Sequence, residues 1–358
     1  GSAYDTLYQA GFCRAKADWL VGMNGSRLFS VRYNAHLNTG RVQTPTLAMI
    51  VKRDNDIANF VKQKYFTVEL DMGFKASSAR IDEEHTADML ASSCSGKTAA
   101  VTDVKKEVKS ISAPKLFDLT SLQREANKKF GYTAQQTLDY MQSLYEKKLV
   151  TYPRTDSQYL SDDMEQTAYA LIPAISEHFG FGTVAEPNLK AVINNRKVTG
   201  HHAIIPTESG VKCDVSALAV GEQNILKLVA LRLLCASASA YRYHAVKVTL
   251  ECENTAFTAT GRTVLESGWK ALDGKIGESK KSDEKSLPDL ENGMTFIAKA
   301  SKSEHFTSPP KAFTEDTLLS AMEHAGAEEF DENAEKKGLG TPATRANTIE
   351  NLVRHGYI

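Results

Sequence analysis

The spacing of apolar residues changes from a helical period to strict alternation early in the chain. From residue 44 to residue 57 the apolar side chains recur at helical spacing behind a Thr-Pro pair, which predicts an amphipathic helix with Thr44 as its N-cap. Between Phe66 and Phe74 apolar and polar residues alternate, as in a strand with one buried face. Further alternation predicts three more strands, at 246–252, 257–261 and 294–298.

These predicted strands lie on both sides of a long helical block at about residues 116–238. A single sheet made from two distant segments satisfies the strand edges most simply, with the helical block inserted between them. The pattern therefore predicts an α+β multidomain chain with a discontinuous β-rich domain.

Inside the helical block, two Thr-x-x-Gln sequences predict helix starts. Thr120–Gln123 and Thr133–Gln136 have the spacing of a capping box, and Gly131 separates the two helices. The second helix leads into a short apolar stretch, so the unit is predicted as helix, turn, helix and strand at 149–152, the outline of a winged helix-turn-helix. A similar helix pair is predicted near the end of the chain, at 313–322 and 344–354.

Composition is ordinary for a globular protein, with 42% of the 358 residues hydrophobic and 24% charged. No apolar run approaches the ~20 residues that span a bilayer, so we expect no membrane association and a cytoplasmic location. The five cysteines are far apart and form no Cys-x-x-Cys pair, which predicts reduced, packed thiols. The start at Gly1-Ser2-Ala3 lacks an initiator methionine, so we expect an expression scar ahead of a fragment.

The net charge of −1 hides a basic segment at the start of the chain. Residues 1–53 carry seven basic side chains and two acidic ones, a local excess of five positive charges. Neutralising the phosphates of a nucleic acid requires local positive charge. A nucleic-acid surface is one interpretation of this segment, and a solvated helix face is the other.

The stretch 149–157 places Tyr152 and Arg154 two positions apart, next to a proline. A tyrosine is a possible nucleophile, and an arginine is suited to hold a phosphodiester under attack. The following Thr-Asp-Ser is also good turn and helix-cap chemistry, so on composition alone a plain loop with a surface tyrosine is the more common explanation.

Six motifs, in order along nearly the whole chain, resemble the body of a type IA DNA topoisomerase, on the topoisomerase III side of that family. Six motifs in the correct order are far more specific than any one of them. They are Arg14–Asn24, Gly40–Thr46, Asp118–Ala126, Leu144–Ser157, Gly200–Thr207 and Gly338–Arg345.

The resemblance implies that Tyr152 attacks one DNA strand and stays bound to the 5′ phosphate, so that the broken strand acts as a gate. It implies that Arg154 stabilises the phosphate charge in the transition state, and that His201 binds phosphate or relays a proton. A His-His pair alone is more often surface or core filler, and His202 points elsewhere if the segment is extended.

The resemblance further implies a set of DNA-binding residues. Arg41 and Gln43 precede a helix start, where free amides favour an anion. Helix capping is the rival explanation for Gln123, Thr341 and Thr344. The full set is Arg14, Asn24, Arg41, Gln43, Gln123, Thr341, Thr344 and Arg345.

By the same resemblance the fold is a type IA topoisomerase-like arch with winged-helix-like catalytic and base domains and a β-rich hinge domain. A helical base that grips single-stranded DNA is expected in two parts, at 4–61 and 309–358. The hinge is expected in two parts, at 62–115 and 239–308. The catalytic domain with Tyr152 is expected between the hinge parts, at 116–238.

The family's N-terminal Toprim domain, with its acidic Mg²⁺ ligands, has no counterpart in this sequence. We therefore expect no metal in this chain, Mg²⁺ only in the intact enzyme, and no full strand passage by the fragment alone. Asp54-Asn-Asp56 lies late in a predicted helix, where such a metal site is not expected. The expected partner is single-stranded DNA, and the expected state is a nucleoid-associated monomer.

Two other classes remain open on the sequence alone. One is a non-catalytic scaffold that holds single-stranded DNA in a basic groove. The other is a transcription-factor-like helix-turn-helix protein, which the large amount of intervening β structure disfavours.

Overall fold

The computed structural model describes residues 2–276, 287–326 and 338–358. Its helices and strands are, in chain order, α1 (Asp5–Tyr33), α2 (Gln43–Ala58), β1 (Lys64–Asp71), β2 (Lys75–Ser78), α3 (Glu84–Cys94), β3 (Thr98–Ile111), α4 (Leu119–Phe130), α5 (Ala134–Glu146), α6 (Glu165–Phe179), α7 (Val220–Ser237), β4 (Tyr241–Cys252), β5 (Thr255–Glu266), α8 (Lys270–Asp273), β6 (Thr295–Ile297), β7 (Lys299–Phe306), α9 (Glu315–His324) and α10 (Pro342–Arg354).

The described strands form one antiparallel sheet of seven strands, in the order β6-β3-β4-β5-β2-β1-β7. Strands from before and after the helical block pair with each other, because β3 pairs with β4, β2 with β5 and β1 with β7. The strand predictions at 66–74, 246–252, 257–261 and 294–298 are confirmed within a few residues. The sheet is therefore built from both segments, with α4 to α7 between them.

Four apolar clusters form the core of the described residues, and the one between α6 and α7 includes Ala203 and Ile205 of the segment beside the predicted site. Phe66, Leu70 and Phe257 lie in the cluster that packs α3 on the sheet. Met141 and Leu144 of α5 pack against Ile225 of α7, beside the segment that contains Tyr152. A smaller cluster joins α9 and α10 to Ala134 at the start of α5, and to Val42 and Ile50.

The helix at 44–57 is confirmed, but its predicted cap is wrong. Helix α2 begins at Gln43, so Thr44 lies inside the first turn, and its hydroxyl accepts a hydrogen bond from the Gly40 amide at 2.9 Å. The N-cap is Val42, so the pattern located the first turn but placed the cap two residues too late.

Of the two predicted capping boxes, the second is confirmed and the first is wrong. Thr133 and Gln136 exchange hydrogen bonds at the start of α5. Helix α4 is instead capped by Asp118, whose carboxylate accepts from the Ser121 amide at 2.7 Å. Two capping sequences overlap at this point, and the carboxylate of the earlier one forms the cap.

Two further expectations need correction. The stretch 149–152 is no strand, because it makes only an isolated bridge between Val150 and Pro206. Not all the thiols are packed: Cys13 is exposed and Cys213 partly exposed, while the other three are buried and all five are free.

Glu222 joins α7 to the C-terminal end of α5. Its carboxylate accepts hydrogen bonds from Lys147 Nζ at 2.7 Å, from Ser143 Oγ and from the Ala219 amide, and its side chain is 7% exposed. Burial alone would raise the pKa of Glu222, but the bonds from Lys147, Ser143 and Ala219 bring it below its ordinary value.

We expect Glu222→Gln to lower the free energy of unfolding by about 2 kcal/mol at pH 7, because hydrogen bonds to a charged group are lost. A lowered folded-state pKa means that the unfolded chain binds more protons, so this stabilisation is complete above the unfolded pKa of about 4.3. The difference between wild type and variant therefore shrinks as the pH falls below that value. Urea unfolding at several pH values measures it.

Glu208→Gln is the matched control. The Glu208 side chain is 76% exposed, and its ion pair with Lys212 is long, at 3.7 Å, so it contributes little to stability. Its stability should equal that of the wild type at every pH. An equal effect of the two substitutions would remove the structural role assigned to Glu222.

Candidate functional site

Tyr152 and Arg154 lie in a short loop that two threonines fix to the segment 201–205. Before the loop, the Thr151 amide donates to the Ile205 carbonyl at 3.0 Å, and Thr151 Oγ1 accepts from the Ile205 amide at 3.0 Å. After it, Thr155 Oγ1 donates to the His201 carbonyl at 2.9 Å. The loop is therefore held at both ends, and His201 is held beside it.

The side chain of Tyr152 lies between two aromatic rings. Its ring centroid is 4.2 Å from that of His201, with 38° between the planes. On another side the Tyr145 ring of α5 meets it edge-on, with centroids 5.6 Å apart. Tyr152 is partly exposed, and its hydroxyl makes no hydrogen bond to the described residues. The phenol is thus positioned by its ring, which leaves its oxygen without a protein partner in the described chain.

Arg154 is exposed and makes no hydrogen bond or ion pair with residues 2–276, 287–326 or 338–358. A guanidinium with no carboxylate partner keeps all its donors for an external anion. Pro153 between the two residues is buried. The structure thus brings together the rings of Tyr152 and His201, and it leaves Arg154, two positions further along the same loop, exposed.

His202 takes no part in this group. Its Nδ1 lies 2.8 Å from the Ala203 carbonyl, within its own segment. This agrees with the expectation that neighbouring histidines of an extended segment point in different directions.

Helix α1 carries two of the expected DNA-binding residues, Arg14 and Asn24. Both are exposed and have no polar partner in the described part of the chain. None of the 29 residues of α1 is buried against the described residues, and Tyr8 and Trp19 are 65% and 64% exposed. Exposed apolar surface of this extent marks an interaction surface.

Arg41 and Gln43 lie at the start of α2, as expected. Arg41 is paired with Asp18 of α1 at 2.7 Å, which partly offsets its charge. Gln43 Nε2 is buried and has no acceptor among the described residues. Such an unpaired donor costs free energy unless another partner binds it.

Gln123 and Arg345 face the protein interior. Gln123 is fully buried and donates to the Ala134 carbonyl at 3.0 Å. Arg345 is 3% exposed and donates to the Leu339 carbonyl and to Thr120 Oγ1, each at 3.0 Å. These contacts give both residues a structural role, Gln123 Oε1 is buried without a partner among the described residues, and a DNA contact of either residue stays a prediction.

Thr341 and Thr344 form the capping box of α10. The Thr341 amide donates to Thr344 Oγ1 at 2.9 Å, and the two hydroxyls lie 3.1 Å apart. Capping thus accounts for the spacing of the two threonines. Both side chains are exposed and accessible to DNA, so a DNA contact stays a prediction.

The described residues do not fit a Mg²⁺ ion. Within residues 2–276, 287–326 and 338–358 no three His, Cys, Asp or Glu side chains group closely enough to hold a metal. Asp54 and Asp56 are exposed on α2.

The sequence did not single out Thr151, Thr155 or Tyr145, which position the loop. The threonines on each side of the Tyr-Pro-Arg sequence could have indicated an anchored loop, because threonine hydroxyls can bind backbone groups of a neighbouring segment. Which segment they bind depends on residues about 50 positions away, and spacing alone does not identify it.

A family model described as DNA topoisomerase matches residues 2–358. DNA topoisomerase 3 of Bacillus licheniformis is 39% identical, over 98% of this chain and 52% of the relative. The Bacillus subtilis strain 168 protein of the same name is 38% identical, with the same coverage. The chain thus spans about half the length of the curated relatives it matches.

A solved structure agrees with the sequence relatives. Full-length topoisomerase I from Thermotoga maritima superposes with a TM-score of 0.75 at 26% identity, over 98% of this chain and 57% of that one. The helices of the described residues include no candidate for a membrane span. The matches in sequence and fold place the chain in the type IA DNA topoisomerase family, among its topoisomerase III-like members.

Proposed function

We propose that this chain holds and cuts one DNA strand for a type IA topoisomerase, with Tyr152 as the nucleophile. The observation that supports it best is the fixed loop in which the ring centroids of Tyr152 and His201 lie 4.2 Å apart, while Arg154 of the same loop is exposed and has no ion pair among the described residues. A phenol and a guanidinium that share one loop and have no polar partner in the described part of the chain are suited to attack on a phosphodiester.

In the proposed reaction the Tyr152 oxygen forms a bond to phosphorus and the 3′ oxygen of the neighbouring nucleotide leaves. The phenol proton is lost and the leaving oxygen gains one. Arg154 holds a nonbridging oxygen as its charge grows, and His201 binds the phosphate or relays a proton. Attack by the 3′ hydroxyl on the phosphotyrosine reverses every step and closes the strand.

Strand passage further requires the catalytic part to move away from the base. We assign the base to 4–61 and 309–358, the hinge to 62–115 and 239–308, and the catalytic part to 116–238. Polar contacts join α4 and α5 to α9, including Arg124 to Asp316 at 2.8 Å and the Ala134 amide to Glu315 at 2.6 Å. Water can replace such polar contacts on opening at lower cost than apolar packing, and the apolar packing that opening must also break here is the small cluster of Ala134 with α9 and α10.

The intact enzyme is proposed to act as a nucleoid-associated monomer of the cytoplasm, with Mg²⁺ supplied by a Toprim domain outside this sequence. By itself the chain binds single-stranded DNA without completing strand passage. Arg14, Asn24, Arg41, Gln43, Thr341 and Thr344 are the proposed contacts to that strand.

Arg154→Ala tests the assignment of the free guanidinium. In the full-length protein we expect covalent adduct formation to slow about 10²–10³-fold, the usual effect of removing one transition-state charge contact. Affinity for single-stranded DNA should fall only a few-fold, because the other contacts remain. Rapid-quench cleavage and fluorescence anisotropy measure the two quantities.

Arg80→Ala is the control, because Arg80 is also exposed but pairs with Asp82 in the β-rich part. It removes the same charge and should leave cleavage unchanged. If both variants cleaved at the wild-type rate, Arg154 would have no catalytic role.

A chain that bound duplex in preference to single strands would instead favour the helix-turn-helix alternative.

The rival function is a scaffold that binds single strands without cutting them. It shares the basic surface and the fold but needs no nucleophile. Absence of any covalent adduct with the full-length protein, together with normal binding, would favour it.

A further inference from the structure

A second tyrosine near the loop, Tyr159, is surrounded by positive charge. Lys197 Nζ donates to its hydroxyl at 3.2 Å and lies 4.8 Å from the ring centroid. Lys115 Nζ lies 5.1 Å from the same centroid, so the two ammonium groups converge on one phenol.

The two lysines come from different parts of the chain, and each is anchored by its backbone. Ser157 Oγ donates to the Lys197 carbonyl at 2.9 Å. Arg232 Nη1 donates to the Lys115 carbonyl at 3.4 Å, and the next residue, Leu116, is 1% exposed. Both side chains therefore extend from fixed points into one partly exposed place.

No carboxylate neutralises this pair in the described chain, because neither Lys115 nor Lys197 forms an ion pair within residues 2–276, 287–326 and 338–358. The Lys115 ammonium lowers the pKa of Tyr159 most, partial burial opposes it, and Lys197 lowers it further. Two like charges held together without a counter-ion repel each other. An external anion would relieve that repulsion.

The group is close to the reaction loop in the fold. The Ala203 amide donates to the Tyr159 carbonyl at 2.8 Å, while the Ala203 carbonyl accepts from Thr151 Oγ1 at 3.3 Å. Ala203 thus contacts both Thr151, the residue before Tyr152, and the backbone of Tyr159. A strand whose phosphate lies at Tyr152 can place another phosphate near the lysines.

We propose that Lys115, Lys197 and the Tyr159 hydroxyl form a second phosphate subsite, which binds a backbone phosphate of the strand that Tyr152 attacks. The lysines supply charge, and the phenol accepts from Lys197 while donating its own proton to a phosphate oxygen. The subsite rests on the proposed function and extends it, because it fixes the strand at a point away from the cut.

The double variant Lys115→Ala/Lys197→Ala tests the subsite in this chain as it stands. Its affinity for a fluorescein-labelled oligothymidylate should fall about tenfold at low salt. The slope of log K against log salt should become less steep by about 0.7, the value for one phosphate of a single strand. Tyr159→Phe should weaken binding a few-fold and leave the slope unchanged, since no charge is removed.

Lys105→Ala/Lys109→Ala is the matched control on β3, where both lysines lie near carboxylates, Asp103 at 3.6 Å and Glu107 at 3.8 Å. It changes the net charge equally and should keep the wild-type slope. Equal slopes for both double variants would overturn the subsite and leave the proposed function in place. A wild-type chain with no affinity for the oligothymidylate would overturn both. Melting temperatures confirm that each variant is folded.

Discussion

We expect replacing Tyr152 by phenylalanine to abolish the covalent DNA adduct of the full-length protein and to leave its single-strand affinity unchanged. Phenylalanine keeps the ring that contacts His201 and Tyr145, with centroids at 4.2 and 5.6 Å, so the loop stays in place. Only the attacking oxygen is lost. Denaturing gels of labelled oligonucleotides show the adduct, and anisotropy measures the affinity.

The label also reports the polarity of the link. Since Tyr152 is proposed to hold the 5′ phosphate, an oligonucleotide labelled at its 3′ end should travel with the protein, and one labelled at its 5′ end should be released. Tyr145→Phe is the control, because it removes the neighbouring hydroxyl and should keep the adduct. Adduct formation by the Tyr152 variant would show that another residue is the nucleophile.

Gly210→Ala is the substitution that we expect to damage the fold around the site most. A methyl group at this position would lie 2.1 Å from the Leu149 carbonyl oxygen, which itself accepts from the Thr207 amide at 3.0 Å. The Leu149 backbone leads directly to the Tyr152 loop, so it must shift. Forced backbone shifts in packed regions cost typically 1–3 kcal/mol, and we expect about 3 kcal/mol here because the clash is with backbone.

Urea unfolding of the chain measures this loss, and Gly200→Ala provides the comparison. Gly200 precedes His201, and a methyl group there would meet nothing within 4 Å. Its stability should stay within about 0.5 kcal/mol of the wild type. Equal stabilities of the two variants would mean that the segments 149–152 and 207–210 do not pack as the structure has them.

Local patterns predicted elements well where the pattern and the packing agree. Alternation from Phe66 onward identified β1, because one face of the sheet packs in an apolar core. The long strand β3 was missed, since most of its second half is exposed and charged and lacks the alternation of a half-buried strand. The sequence did not predict which strands pair, because partners such as β3 and β4 are separated by more than 100 residues.

Caps were harder to predict than helices. Asp118 and Thr120 both offer a capping side chain, and sequence alone does not rank them. The buried Gln123 and Arg345 show the same limit, because a polar residue in a motif can bind DNA or satisfy backbone groups inside the protein.

The reaction loop was identified by its residues, and its setting required the fold. Tyr152 and Arg154 are neighbours in sequence, whereas the contact with His201 depends on hydrogen bonds from Thr151 and Thr155 to a segment about 50 positions away. The group of Tyr159, Lys115 and Lys197 had no sequence signal, since its members are 38 or more positions apart.

Mass spectrometry of the trapped adduct tests the central claim most directly. Trypsin cuts after Lys148 and Arg154, which releases Leu149–Arg154 with Tyr152 as its only tyrosine. After nuclease trimming of the full-length protein's adduct, we predict a nucleotide 5′ phosphate on this peptide. A nucleotide on the next peptide, Thr155–Lys190, or on any other peptide would contradict the account.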